Sequence, residues 1–142
     1  MIIQDHDSFI EIVFHEAMPK DYEGDFSISV TANCDSFTGS ENGVWIERVA
    51  FNRFMEELKT LVKARIGSAK LESISPYKFN LHIYAKTPED IRAEGELCKR
   101  ITKGEDELAS SRVVYEVRID PKHLPRILID FNFLLPKKTV IK

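Results

Sequence analysis

The chain is poor in the residues that act as staples and in those that act as chemical tools. Two cysteines, Cys34 and Cys98, lie far apart in 142 residues, and neither belongs to a CxxC pair. A disulfide framework or a thiolate metal knuckle is therefore not expected. Six glycines are spread singly, among them Gly39, Gly43, Gly67, Gly95 and Gly104. No GxGxxG or P-loop exists to cradle a phosphate, and HExxH and GxSxG are absent too. The four histidines, His6, His15, His82 and His123, show no ligand spacing. His6 stands between Asp5 and Asp7, but "QDHDS" reads as a solvated turn. No run is long enough to cross a membrane. The opening "MIIQDHDSFIEIVF" lacks a basic region followed by an apolar one, so no secretion signal is expected and the expected compartment is the cytoplasm. Basic excess is missing as well: 20 Lys and Arg stand against 23 Asp and Glu, a formal charge of −3. That disfavours direct nucleic-acid binding, which needs a basic footprint.

What is present is the makeup of an ordinary soluble domain. Hydrophobic residues are 43% and charged residues 30%. The length suits a single domain, 1–142, able to fold without metal or disulfide.

Strand alternation dominates the pattern. "SFIEIVF" places Ile10, Ile12 and Phe14 on one face, and "HEAMPKDYEGD" breaks it with Pro19 and Gly24. "FSISVTANC" points Phe26, Ile28, Val30 and Ala32 inward against Ser27, Ser29, Thr31 and Asn33. "DSFTGSENG" reads as a turn or strand end, and "VWIERV" as a third strand. Then the period changes. In "VAFNRFMEELKTLVKARIG" the apolar positions Phe51, Phe54, Met55, Leu58, Leu61, Val62 and Ile66 form one helical stripe. Glu56 and Glu57 toward its start and Lys63 and Arg65 toward its end suit the dipole, with Gly67 as the expected C-cap.

Strands resume with "AKLESIS" and "KFNLHIYAK". "TPED" makes a turn with Pro88 at its second position. "DIRAEGELCKRI" sets Ala93, Gly95 and Leu97 against Arg92, Glu94, Glu96, Cys98 and Arg100. "TKGEDELASS" reads as an acidic loop, and "RVVYEVRI" alternates Val113, Tyr115, Val117 and Ile119 against Arg112, Val114, Glu116 and Arg118. A second apolar stripe, Leu124, Ile127, Leu128, Phe131, Leu134 and Leu135, predicts a helix from Pro125 that stops before Pro136. The expected fold is α+β: a curved antiparallel sheet of about seven strands packed against two amphipathic helices.

No catalytic, cofactor-binding or metal residue is assigned. Glu94 and Glu96, two apart on a strand, lie about 7 Å from each other, a spacing glycosidase carboxylates use. Flanking arginines and the charges of "RVVYEVRI" make a solvated charge ladder the simpler reading, with a partner surface next. Cys98 shares this acidic face, the opposite of the electropositive setting of a reactive thiolate. His82 is expected exposed on its strand. Trp45 is open between a core position and an interface anchor.

The series "SFIEIVF", "FSISVTANCDSFTG", "VWIERVAFNRFMEELKTL", "AKLESI" and "VVYEVRIDPKHLPRILIDFNFLL" resembles the WapI-like immunity proteins and related bacterial domains. The resemblance spans nearly the whole chain and rests on core patterns. It departs in the charged run from Tyr115 to Asp120 and in Pro125. It implies a cytoplasmic, non-enzymatic protein without cofactor that binds and neutralises a cognate toxin domain, often a nuclease. Acidic segments would steer a basic partner, which nominates Glu16, Asp21, Glu23 and Asp25, and Glu105, Asp106 and Glu107. A small-molecule-binding domain or enzyme using the sheet face, and a structural homo-oligomer subunit, remain as alternatives.

Overall fold

The computed structural model describes residues 1–17, 24–75, 77–103 and 106–136, with side chains undescribed within 100–110. Among the described residues eight strands form two antiparallel sheets of four, instead of one sheet of about seven. In the first sheet β1 (Ile2–Gln4), β2 (Ser8–Ala17), β3 (Phe26–Cys34) and β4 (Phe37–Ile46) lie side by side in chain order. Helix α1 (Arg48–Ala64) follows. The second sheet repeats the plan with β5 (Ser68–Glu72), β6 (Phe79–Thr87), β7 (Asp90–Lys103) and β8 (Asp106–Ile119). A 3-10 turn, Pro121–His123, leads into α2 (Leu124–Asn132). Alternation reports which face of a strand is wet but not which strand lies beside it. For that reason the division into two sheets was not legible, and the three-residue β1 is too short to show a period.

The alternation itself is realised except at Ser27, expected outward on β3 but fully buried between Phe26 and Ile28. Ile10, Ile12, Phe26, Ile28, Val30, Ala32, Val44 and Ile46 are buried in the first sheet. Ala69, Leu71, Phe79, Leu81, Ile83, Ile91, Ala93, Leu97, Tyr115, Val117 and Ile119 are buried in the second. One cluster of buried side chains draws on both sheets and both helices. Strand β8 lies against β1, β2, β3 and β4, and α1 packs on β5 and α2. Edge-on aromatic pairs pin the layers: Phe26 on Phe51 at 5.2 Å joins β3 to α1, and Phe54 on Phe131 at 5.0 Å joins the helices.

Several local expectations shift. "DSFTGSENG" is mostly strand: only Asp35 and Ser36 turn, with Asp35 at φ 58°, and a bulge near Ile28–Val30 absorbs the offset. The acidic stretch after β7 is no long loop, because β7 and β8 pair out to Lys103 and Asp106. α1 is capped by Arg65, which itself takes the left-handed conformation (φ 54°), leaving Ile66 exposed and Gly67 (φ 91°) to lead into β5. Glu56 and Glu57 are too far along α1 to serve its dipole, and the first turn holds no acidic residue. Asp25 fills that role, accepting the Arg48 N–H at 3.2 Å. α2 begins one residue before Pro125, which occupies the first turn where its missing N–H costs nothing. The "TPED" turn is as expected, with Pro88 and Glu89 between the paired Thr87 and Asp90.

Candidate functional site

The outward side chains of the second sheet line up in rows across four strands. The ladder aligns Lys70, His82, Glu94 and Glu116 in one row, and Glu72, Asn80, Glu96 and Val114 in the next. A third row runs Ser68, Tyr84, Arg92 and Arg118. The first two rows line a groove of about 590 Å³, which Cys34 reaches from the end of β3. Leu81, Gly95 and Tyr115 close its floor.

The floor explains the single glycine in "RAEGELCKR". Tyr115, opposite Gly95, donates its hydroxyl to the Asn80 carbonyl at 2.5 Å. A Cβ at Gly95 would collide with that carbonyl and stand 2.5 Å from the Tyr115 oxygen. Burial drives the Tyr115 phenol well above its usual range, so it remains a donor.

Charge in the groove is unevenly compensated. Arg92 grips Asp90 through Nε–Oδ1 at 3.0 Å and Nη2–Oδ2 at 3.1 Å, and reaches Glu116 at 2.7 Å. These bonds hold the Asp90 carboxyl below its ordinary range and raise the guanidinium. Arg112 approaches Glu96 only to 3.7 Å. Directly opposite residues carry like charges, Glu94 facing Glu116 and Arg92 facing Arg118, so the ion pairs run diagonally. Glu94 accepts weakly from the Tyr84 hydroxyl at 3.4 Å and lies 3.5 Å from His82 Nδ1. His82 is not the exposed histidine expected. Its ring stacks on Tyr84 at 4.8 Å, its side chain is 27% accessible, and Nε2 is buried without a partner among the described residues. Partial burial first, then Glu94 and Glu116, raise the Tyr84 phenol.

This arrangement is suited to contact more than to chemistry. The Glu94 and Glu96 side chains are 43% and 35% accessible. Both are open to water, whereas acid–base pairs need burial to drive their pKa values apart. Among the described residues no three His, Cys, Asp or Glu side chains gather as a metal site.

A model of the Immunity protein WapI-like family matches residues 1–135. The chain belongs to this family. Comparison with curated proteins and with solved structures found no match. Among the described residues no helix is long and apolar enough to cross a membrane.

Of the acidic residues nominated from the sequence, Glu16 and Asp25 have described side chains. Glu16 is exposed beyond the bulge in β2. Asp25 is half-buried and committed to the start of α1. Asp21, Glu23 and Glu105 lie outside the described residues, as do the side chains of Asp106 and Glu107, whose backbone pairs with Lys103 and Thr102. The groove collects Glu72, Glu94, Glu96 and Glu116 from three strands. Outward parity had marked Glu94, Glu96 and Glu116, but only pairing could add Glu72 and a concavity. Trp45 is half-buried on the outward side of β4, opposite Ser27.

Proposed function

We propose that this protein binds a cognate toxin domain and neutralises it by occupying its surface, acting in the cytoplasm and performing no reaction. The observation that carries this reading is the family match across residues 1–135. The water-exposed carboxylates of the groove support it, since they are placed for contact. A nuclease fits as the target: such a domain carries a basic face for phosphates, and the chain's formal charge of −3 attracts it. The test is co-expression with the toxin encoded by the neighbouring gene. Growth rescue and a complex that co-purifies are expected. A toxic neighbour that this chain neither binds nor silences overturns the reading.

A second reading draws on the volume of the groove, which falls in the range of ligand sites. A thermal-shift screen against metabolites separates the two. Stabilisation by a small molecule that disappears in Glu94→Ala would favour the ligand site.

A further inference from the structure

We propose that the groove on the outer face of the second sheet is the docking surface, and that its occupant is a cationic segment of the toxin domain bearing lysine or arginine side chains. The proposal rests on the reading above and adds the surface and the chemistry of what enters it.

Charge placement argues for it first. Four of the chain's 23 acidic side chains line the groove, Glu72, Glu94, Glu96 and Glu116, against one of its 20 basic ones, Lys70. Equal numbers of each sign remain elsewhere, so the groove accounts for the whole formal charge of −3. A net charge spread evenly would only steer encounters. Concentrated in one concavity it also selects what docks there.

The compensation inside the groove is incomplete. Arg92 is already shared between Asp90 and Glu116. Arg112 is 61% accessible and 3.7 Å from Glu96, a loose surface pair. Glu72 has no ion pair among the described residues. Glu94 faces Glu116 across the ladder and shares its face with Glu96. Like charges so placed work against the fold. An incoming ammonium or guanidinium relieves that repulsion, so the same carboxylates that cost the free protein stability favour the complex.

The apolar lining fits the rest of such a side chain. Val114 is 56% exposed within the groove. Lysine and arginine stems lie along apolar surface of this kind while their charged heads meet carboxylates. A protein segment fits better than a small cation because the carboxylates are distributed over β5, β7 and β8. No single small ion touches all of them, whereas a strand or loop crossing the rows does.

The experiment measures binding of the purified full chain to the neighbouring gene's toxin domain, as a function of salt. Glu94→Gln combined with Glu96→Gln is expected to weaken the complex about 30-fold at low salt and to flatten its salt dependence. Thermal unfolding of the free variant stays at the wild-type midpoint or rises. Glu94→Lys combined with Glu96→Lys abolishes binding and rescue. Glu11→Gln combined with Glu56→Gln, exposed positions of β2 and α1, changes the formal charge equally away from the groove and shifts affinity less than about threefold. Should the double variants fold poorly, Glu72→Gln, exposed and without an ion pair among the described residues, supplies the reading with a smaller loss of affinity. Wild-type affinity in the groove variants, or equal losses in the Glu11 and Glu56 control, overturns the groove while leaving the immunity reading in place. A wild-type chain that neither binds nor protects overturns both.

Discussion

The two sheets share a plan and differ on their outer faces. Both are four-stranded meanders followed by a helix, and both bury aliphatic residues inward. The first sheet's outward rows read Ile2, Glu11, Thr31, Ser40 and Gln4, Phe9, Asn33, Thr38. They are joined by short neutral bonds: Thr31 to Ser40 at 3.0 Å and Thr38 to Asn33 at 2.6 Å. The matching rows of the second sheet hold four glutamates, a lysine and a half-buried histidine over a groove. Topology and inner face make the sheet, and the outward parity is free to vary. On the neutral face Thr31, Ser40, Asn33 and Thr38 bond to one another, while on the charged face like charges stand opposite each other.

The largest expected effect compares one glycine from each sheet. At Gly95 an added Cβ meets backbone, the Asn80 carbonyl, which cannot rotate away. At Gly39 it meets Val113 Cγ2 at 2.7 Å, a side-chain terminus able to shift. Gly95→Ala should therefore destabilise by more than about 3 kcal/mol, and Gly39→Ala by about 1 kcal/mol. Urea unfolding of both variants checks the order. Equal losses would show that the groove floor is no tighter than the contact between sheets.

Next comes Tyr115→Phe, which removes the hydroxyl from the Asn80 carbonyl and should cost about 1–2 kcal/mol. The phenol also sets a pH dependence. Burial raises its folded pKa above the unfolded value near 10, so the folded state retains a proton that the unfolded state loses. Its contribution is complete below that value and declines as pH rises above it. Denaturation curves between neutral and strongly alkaline pH should show this decline in the wild type and lack it in Tyr115→Phe.

A smaller effect is expected at the junction of the sheets. Asp5 sits in the turn before β2 and accepts the backbone N–H of Arg118 at 2.9 Å, along with those of Asp7 and Ser8. Desolvation pushes this carboxyl up, but the three N–H groups outweigh it and leave the pKa lowered. A lowered folded pKa gives stability that is present above the unfolded value and fades as acid protonates the folded form. Asp5→Ala should cost about 1 kcal/mol at neutral pH and nothing in strong acid, measured by chemical unfolding at both.

The smallest effects are on the exposed rows. Thr31→Val on the first sheet should cost under about 0.5 kcal/mol, because solvent replaces the bond to Ser40. Glu94→Gln should leave stability unchanged or raise it. A loss at Glu94 as large as that in Tyr115→Phe would mean that the charged row is structural, and the contrast between the faces would collapse.

Side-chain parity was legible wherever one face of an element is buried. Phe26, Ile28, Val30 and Ala32 are buried as the alternation predicts, and Phe51, Phe54, Met55, Leu58 and Leu61 form the buried stripe of α1. Burial imposes the period, so the period betrays burial. Element ends were less legible. A left-handed Arg65, its N–H bonded to the Leu61 carbonyl, stops α1 two residues before Gly67, which was expected to. The acidic loops were chosen because they are dense in sequence. The groove was not legible because its glutamates, apart from the neighbours Glu94 and Glu96, come from strands well separated along the chain.

The sequence by itself determined the α+β composition, the inward and outward parity of most strands, the amphipathic stripes of both helices and the family to which the chain belongs. It determined these because each rests on local periodicity or on a pattern spread along the chain. Only the tertiary structure decided that eight strands divide into two sheets, that Lys70, His82, Glu94 and Glu116 share a row, and that Gly95 and Tyr115 floor a groove. Those facts depend on register between segments far apart in sequence. Register is set by how whole faces pack together, a quantity no short stretch of residues contains.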